Sequence, residues 1–158
     1  MDADALLTLF QTLVRAHGPP GAEAEIEAAV GRELDALGVR WWADAVPNLY
    51  ARLPGEGLKV MVCAHKDEIG MVVTEVLPDG HLRLAPCGGA FPWKYGEGPV
   101  EVLARDGSAV RGVLSAGSIH TRQGPLHELR ESRAWTWALA TVFTGLSPEA
   151  LAARGVGV

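Results

Sequence analysis

The order of two hydrophobic periods along the chain restricts its fold more than any other feature of the sequence. Residues 3–16 and 22–37 carry apolar side chains at helical spacing. After Gly70 that spacing is absent for about 75 residues, and short alternating runs bounded by turn residues replace it. Between the two regimes, residues 39–43, 48–53 and 58–64 read as strands. This order predicts an α/β protein: an incomplete α/β/α layer with two helices and about three strands, followed by an inserted small β-barrel or sandwich.

The two predicted helices have clear boundary signals. Asp2 or Asp4 can cap the start of the first, and Gly38 stands where the second would end in a left-handed residue. The first is predicted to be amphipathic, with Leu6, Phe10, Leu13 and Val14 on one face. The second is predicted to bury Ile26, Ala29 or Val30, Leu34 and Leu37.

Residues 58–64 form the most apolar of the predicted strands. After Lys59 the run is almost continuously hydrophobic, which is typical of a strand covered on both faces in the middle of a sheet. The Pro54-Gly55-Glu56-Gly57 segment before it has the composition of a hairpin turn. The sequence therefore predicts a hairpin between residues 48–53 and 58–64.

The region after Gly70 is predicted to form a β module. Its strand-like runs are residues 71–77, 81–86, 99–104 and 110–115, with a last one over 137–143. Ser147 and Pro148 then predict the cap and first position of a short helix. We therefore divide the chain into residues 1–69, an inserted β module over 70–146, and residues 147–158, where the chain starts to return to the first layer.

Composition and charge argue against several classes of protein. The chain is 48% hydrophobic and 21% charged, a balance typical of globular domains. Its net charge is −5, without a basic stripe, so we expect no nucleic-acid partner. No run approaches the roughly 20 apolar residues of a spanning helix, and the acidic N-terminus is unlike a secretory signal. The two cysteines lack CxxC spacing, so we expect reduced thiols. Together these features predict a cytoplasmic protein with no membrane partner.

The chemistry is concentrated where the predicted central strand ends. His65 and Asp67 follow it, and residues two apart in extended backbone point to the same side, with Lys66 on the other. A neutral imidazole suits Zn²⁺ or Co²⁺, and a nearby carboxylate can accept the other ring N–H. The spacing by itself suits equally an ordinary hydrogen-bonded histidine, so it leaves both interpretations open.

A wider resemblance favours the metal. Residues 64–70, Ala-His-Lys-Asp-Glu-Ile-Gly, resemble the A-H-x-D-E-I-G block of glutamyl (tetrahedral, or deblocking) aminopeptidases. Residues 19–23 resemble that family's early S-G-x-P-G-x-E-type turn, and Asp44 with Asn48-Leu49 resembles its D-x-x-G-N-L strand. Landmarks of its inserted β module have counterparts in Gly88-Gly89, Gly96 with Val100, and Gly112-Val113-Leu114. The resemblance covers nearly the whole chain.

The resemblance implies roles for particular residues. His65 would be a zinc or cobalt ligand, Asp67 the catalytic-site acid that supports it, and Glu68 structural. Residues 1–69 would then be the first part of a metallopeptidase catalytic domain, and the complete parent would hold two divalent ions and remove N-terminal residues from peptides. The family's remaining ligands follow the β module, so we expect this chain alone to be inactive and to bind metal at His65 weakly at most. It would form homo-oligomers, dimers at least.

Three departures mark a divergent branch. Lys66 stands where a Met is usual, Pro47 replaces the Gly before Asn48, and residues 120–122 match the usual P-P-H poorly. The role of residues 120–133 is left open, as are the cleaved residue and the metal. The alternative function is a non-catalytic oligomerisation or partner-binding module from a truncated or degenerate peptidase gene.

Overall fold

The computed structural model describes residues 2–118, 120 and 135–158. The chain forms two compact units, residues 1–68 and 69–158. Within the described residues, no helix has the length and apolar character needed to cross a membrane. Most of the segment 120–133, whose role the sequence leaves open, lies outside these residues.

Two helices open the first unit, as predicted. Helix α1, Ala3–Arg15, is capped by Asp2, whose Oδ1 accepts from the Ala5 N–H at 2.8 Å. Helix α2, Ala24–Ala36, is followed by Gly38 at φ 65°, which confirms the predicted left-handed ending. Its buried residues are Ile26, Ala29 and Gly31. Leu37, which the periodicity placed on the buried face, is exposed because it lies past the end of the helix.

The first unit contains one two-stranded antiparallel sheet. Strands β1, Trp41–Ala43, and β2, Leu49–Ala51, pair so that Trp42 lies opposite Tyr50, and the two rings stack with centroids 5.5 Å apart. On the other face of β1, Trp41 packs against α2 so closely that a Cβ at Gly31 would lie 2.8 Å from the indole. The hairpin is thereby fixed to the helix.

The prediction of a buried central strand over residues 58–64 is wrong for this chain. These residues belong to no strand, and Leu58 and Val62 are 91% and 92% exposed. The predicted hairpin through Pro54–Gly57 is also absent, because β2 pairs with β1 instead. A strand needs neighbours for its N–H and C=O groups and a layer over each face, and the described part of this chain supplies neither. The apolar face of α1 is exposed for the same reason, with no buried residue.

The second unit is the β module. Its strands, β3 Gly70–Val76, β4 Leu82–Cys87, β5 Gly98–Leu103, β6 Ala109–Ser115 and β7 Thr141–Phe143, form one antiparallel sheet in the order β3-β4-β7-β6-β5. Leu82, Leu114 and Val142 are almost completely buried between them. The mixed α/β fold with a curled β half-barrel confirms the predicted fold class.

Two short helices accompany this sheet in the part of the unit that the structure describes. Helix α3, Pro92–Tyr95, was not predicted, since four residues are too few to show a period. Helix α4, Pro148–Ala153, begins at Ser147 as expected, and its Leu151 is buried in the core of the module. The last strand is shorter than predicted because residues 137–139 form a turn, in which the Trp137 indole N–H donates to the Ala90 carbonyl at 2.8 Å.

Candidate active site

His65 and Asp67 lie side by side in the first unit. The His65 Nδ1 atom is 3.2 Å from Oδ1 of Asp67 and 3.0 Å from the carbonyl oxygen of the same residue. Both partners can only accept, so a neutral imidazole carries its hydrogen on Nδ1. Its Nε2 then presents a lone pair, and this atom has no hydrogen-bond partner among the described residues. The His65 side chain is 84% exposed, so that lone pair is accessible.

Glu68 fastens the next position of the segment. Its backbone N–H donates to the Gly18 carbonyl at 2.8 Å, and its Oε1 accepts from the Gly18 N–H at 2.9 Å. Gly18 itself is buried against Ile26 of α2. The carboxylate of Glu68 is therefore engaged in holding the backbone together, and it is not free to act beside His65.

The Lys66 side chain has partners of its own. Its ammonium contacts the Glu27 carboxylate on α2 and the carbonyl oxygen of Pro47. The two charged side chains are 25% and 23% exposed, far less than His65. The segment 65–67 thus carries an exposed imidazole and a lysine held in a half-buried ion pair.

The turn that offers the Pro47 carbonyl is built around Asp44. Its Oδ1 accepts from the backbone N–H groups of Val46 and Asn48, and its Oδ2 accepts from the Asn48 amide and the Tyr50 hydroxyl, each at 3.0 Å. These hydrogen bonds, first of all the one from the Asn48 side chain, lower the pKa of the Asp44 carboxyl. The hydrogen bond from its hydroxyl to Asp44 raises the pKa of Tyr50, because the neutral phenol is the donor.

A second histidine lies in the same unit. His17 Nδ1 is 2.6 Å from Oε2 of Glu25, and this hydrogen bond lowers the pKa of Glu25. The His17 carbonyl also accepts from the Ile26 N–H at 3.3 Å, so the residue serves to attach the loop after α1 to α2. This structural role agrees with leaving His17 out of the candidate site.

A concave cavity of about 1020 Å³ lies within the first unit. Apolar side chains of the two helices line it, among them Leu13, Ile26 and Val30. Residues 46–49 and 64–68, including His65 and Asp67, line it as well.

The donor set fits part of a zinc or cobalt centre. An imidazole Nε2 whose Nδ1–H is held by a carboxylate is the arrangement usually found at metal-bound histidines. A hydrolytic zinc site generally has three protein ligands, however. Within residues 2–118, 120 and 135–158, no group of three or more His, Cys, Asp and Glu side chains is placed to hold an ion. The described residues therefore bring together one imidazole and one carboxylate, fewer groups than such a site requires.

Sequence reasoning identified His65 and Asp67 as neighbours but missed two supporting contacts. Lys66 and Glu27 are 39 positions apart, and Gly18 and Glu68 are 50 apart, so no local pattern indicates either pair. The Asp44 network does have a local signal, because an Asp side chain in a turn commonly accepts from the backbone N–H two residues on, here that of Val46.

Comparison with known proteins gives a consistent result. The model of the M42 glutamyl aminopeptidase family matches residues 47–145. A putative aminopeptidase of Acetivibrio thermocellus is 35% identical over 89 residues, which cover 56% of this chain and 27% of that protein. The solved aminopeptidase APDkam598 from the archaeon Desulfurococcus kamchatkensis superposes with a TM-score of 0.80 at 27% identity, over 96% of this chain and 40% of its own.

A further solved structure, the TET1 peptidase of Pyrococcus horikoshii, superposes with a TM-score of 0.77 at 25% identity, over 92% of this chain and 43% of its own. That peptidase is described as assembling into a tetrahedron or a large octahedral shell. In each of these comparisons the chain spans less than half the length of the protein it matches.

Proposed function

This chain belongs to the M42 glutamyl aminopeptidase family, and from that premise we propose that it is the N-terminal portion of a metal-dependent aminopeptidase that hydrolyses N-terminal residues from peptides. One observation supports this proposal at the level of residues. His65 Nδ1 contacts Asp67, which leaves Nε2 exposed and available to bind a metal ion. An exposed histidine with no such contact would favour the other tautomer.

In this proposal each residue has a separate task. His65 offers the Nε2 lone pair to one of two Zn²⁺ or Co²⁺ ions of the complete protein. Asp67 accepts the Nδ1–H and so fixes the tautomer and the direction of the ring. Glu68 holds the backbone to Gly18, which keeps the segment in place. When bound, such ions supply Lewis-acid activation of a water nucleophile and of the scissile carbonyl.

The chain by itself is proposed to be inactive. One histidine and one supporting acid give a single ligand position among the described residues, whereas a hydrolytic site needs about three. The remaining ligands would come from the part of the parent that follows the β module.

The assembled protein is proposed to be a homo-oligomer, dimers at least. The support is the oligomeric relative from Pyrococcus horikoshii and the apolar surface that the first unit leaves exposed. We further propose that it acts in the cytoplasm, where its two free cysteines, Cys63 and Cys87, stay reduced.

The test compares two purified proteins on amino-acid anilides with added Zn²⁺ or Co²⁺. The first is this 158-residue chain, and the second is the same chain joined to whatever its gene encodes after codon 158. We expect no turnover from the first and metal-dependent turnover from the second. A genuine stop codon after Val158, or a longer protein that stays inactive with every metal, would refute the proposed aminopeptidase function. The alternative, a non-catalytic oligomerisation or partner-binding module, would then take its place. Turnover by the short chain that His65→Ala abolishes would refute its proposed inactivity.

A further inference from the structure

Lys66 is the residue between the two candidate site residues, and its side chain is committed elsewhere. The ammonium contacts the Glu27 carboxylate and the Pro47 carbonyl. The pair is half-buried, whereas the imidazole is almost fully exposed. A lysine placed only for solubility would extend its ammonium into water.

Both partners of the ammonium are themselves anchored. Glu27 lies in the first turns of α2, where its N–H donates to the Glu23 carbonyl at 3.0 Å and the adjacent Ile26 is buried. Pro47 lies in the turn that Asp44 holds with four hydrogen bonds. Lys66 therefore joins the candidate segment to a helix and to a fixed turn at one point.

The segment needs such an anchor because the residues before it are not held by a sheet. Residues 58–64 belong to no strand in the described chain, and the backbone attachment after them is the one between Glu68 and Gly18. With position 68 fixed and position 66 fixed, the intervening Asp67 and the preceding His65 have little freedom to rotate about the backbone.

We propose that Lys66 is a positioning residue for His65: by binding Glu27 and the Pro47 carbonyl, it fixes the backbone between His65 and Asp67 and keeps these two side chains in contact. This inference deepens the proposed function, since it concerns the same metal-ligand position. Lys66 touches neither the imidazole nor any reacting group, so its effect is entirely through the backbone of residues 65–67.

The first measurement needs neither metal nor activity. In the 158-residue chain at a pH where imidazole is neutral, the ¹⁵N chemical shifts of His65 report which ring nitrogen carries the hydrogen. An imidazole free in water favours the Nε2–H form, whereas the contact with Asp67 requires hydrogen on Nδ1. We expect mainly Nδ1–H in the wild type and a clear shift toward Nε2–H in Lys66→Ala, which removes both contacts of the ammonium.

The second measurement separates positioning from simple electrostatics, using Zn²⁺ alone as the probe, on the longer protein in its metal-free form. If the charge of Lys66 acted directly on the cation, Lys66→Ala would tighten zinc binding and Glu27→Gln would weaken it. Positioning predicts that both variants weaken it, on the order of tenfold, as is usual when a supporting contact of a ligand is lost. Lys66→Arg, whose guanidinium can still donate to Glu27 and to the Pro47 carbonyl, should keep most of the tautomer and the affinity.

Lys59→Ala is the matched control, because Lys59 is an exposed lysine near the segment without an ion pair among the described residues. It should leave the His65 tautomer unchanged. An unchanged tautomer in a folded Lys66→Ala chain, or zinc affinities that move in opposite directions in the two single variants, would overturn the inference. The tautomer is measured without turnover, so its predicted shift can be absent while the longer protein is active, or present while that protein is inactive. This inference and the proposed function can therefore fail separately.

Discussion

The backbone N–H of Gly18 donates to Oε1 of Glu68 at 2.9 Å, while the N–H of Glu68 donates to the Gly18 carbonyl at 2.8 Å. This reciprocal pair connects the loop after α1 with the segment that carries His65 and Asp67. It also explains why a glycine stands at position 18, since a Cβ there would lie 2.9 Å from Cγ2 of Ile26 and 3.4 Å from the Lys66 carbonyl oxygen.

Replacing Gly18 by Ala should destabilise the first unit. The added methyl group would force Ile26 or the Lys66 backbone to shift, which for overpacked positions costs about 1–3 kcal/mol in the free energy of unfolding. Urea unfolding followed by tryptophan fluorescence measures this change. Gly55→Ala is the control, because a Cβ at Gly55 meets no atom within 4 Å. A loss of stability equally large at both positions would contradict the steric explanation.

In the longer, active protein, His65→Ala should nearly abolish aminopeptidase activity, because it removes the proposed ligand. Asp67→Asn should lower kcat/KM on the order of 10- to 100-fold, since an amide can present hydrogen toward Nδ1 and disturb the tautomer. Both changes should also lower the metal content found by mass spectrometry. Asp106→Asn, at an exposed hairpin turn in the other unit, should change neither. Full activity of His65→Ala would remove His65 from the site.

The isolated chain should self-associate through its exposed apolar surfaces. Leu6, Phe10 and Val14 on α1 remain uncovered, as does most of residues 58–62. Uncovered apolar surface and unpaired extended backbone both favour association. Sedimentation velocity over a range of concentrations should show mass increasing with concentration, and Phe10→Lys or Val62→Lys should shift the equilibrium toward monomer. Gln11→Lys, on the same helix, is the matched charge control. A monomer at every concentration would contradict this prediction.

The stabilising effect of Asp44 should depend on pH in a defined direction. Its hydrogen bonds favour the ionised carboxylate, so the pKa is lower in the folded chain than in the unfolded one. The contribution to stability is therefore complete above the ordinary pKa of an aspartate, near pH 4, and is lost as pH falls through the lowered value. Asp44→Asn should be less stable than wild type at pH 7, and the difference should shrink in acid. Urea unfolding at both pH values measures it, and a difference that grows in acid would contradict the assignment.

The sequence by itself determined the structural features that depend on residues close together along the chain. The helical periods, the Asp2 and Ser147 caps and the left-handed Gly38 follow from interactions within a few positions, and each is found in the structure. The juxtaposition of His65 and Asp67 is equally local, because side chains two apart in extended backbone share one side. The fold class could be predicted for the same reason, since it follows from the order of the two periods.

Only the tertiary structure decided what depends on distant partners. Residues 58–64 have every local property of a central strand, yet a strand is completed by neighbours on both edges and by layers over both faces, and the described chain provides none of these for them. The contacts of Lys66 with Glu27 and of Gly18 with Glu68 join residues 39 and 50 positions apart. Such pairs arise when the chain packs, so local spacing carries no information about them.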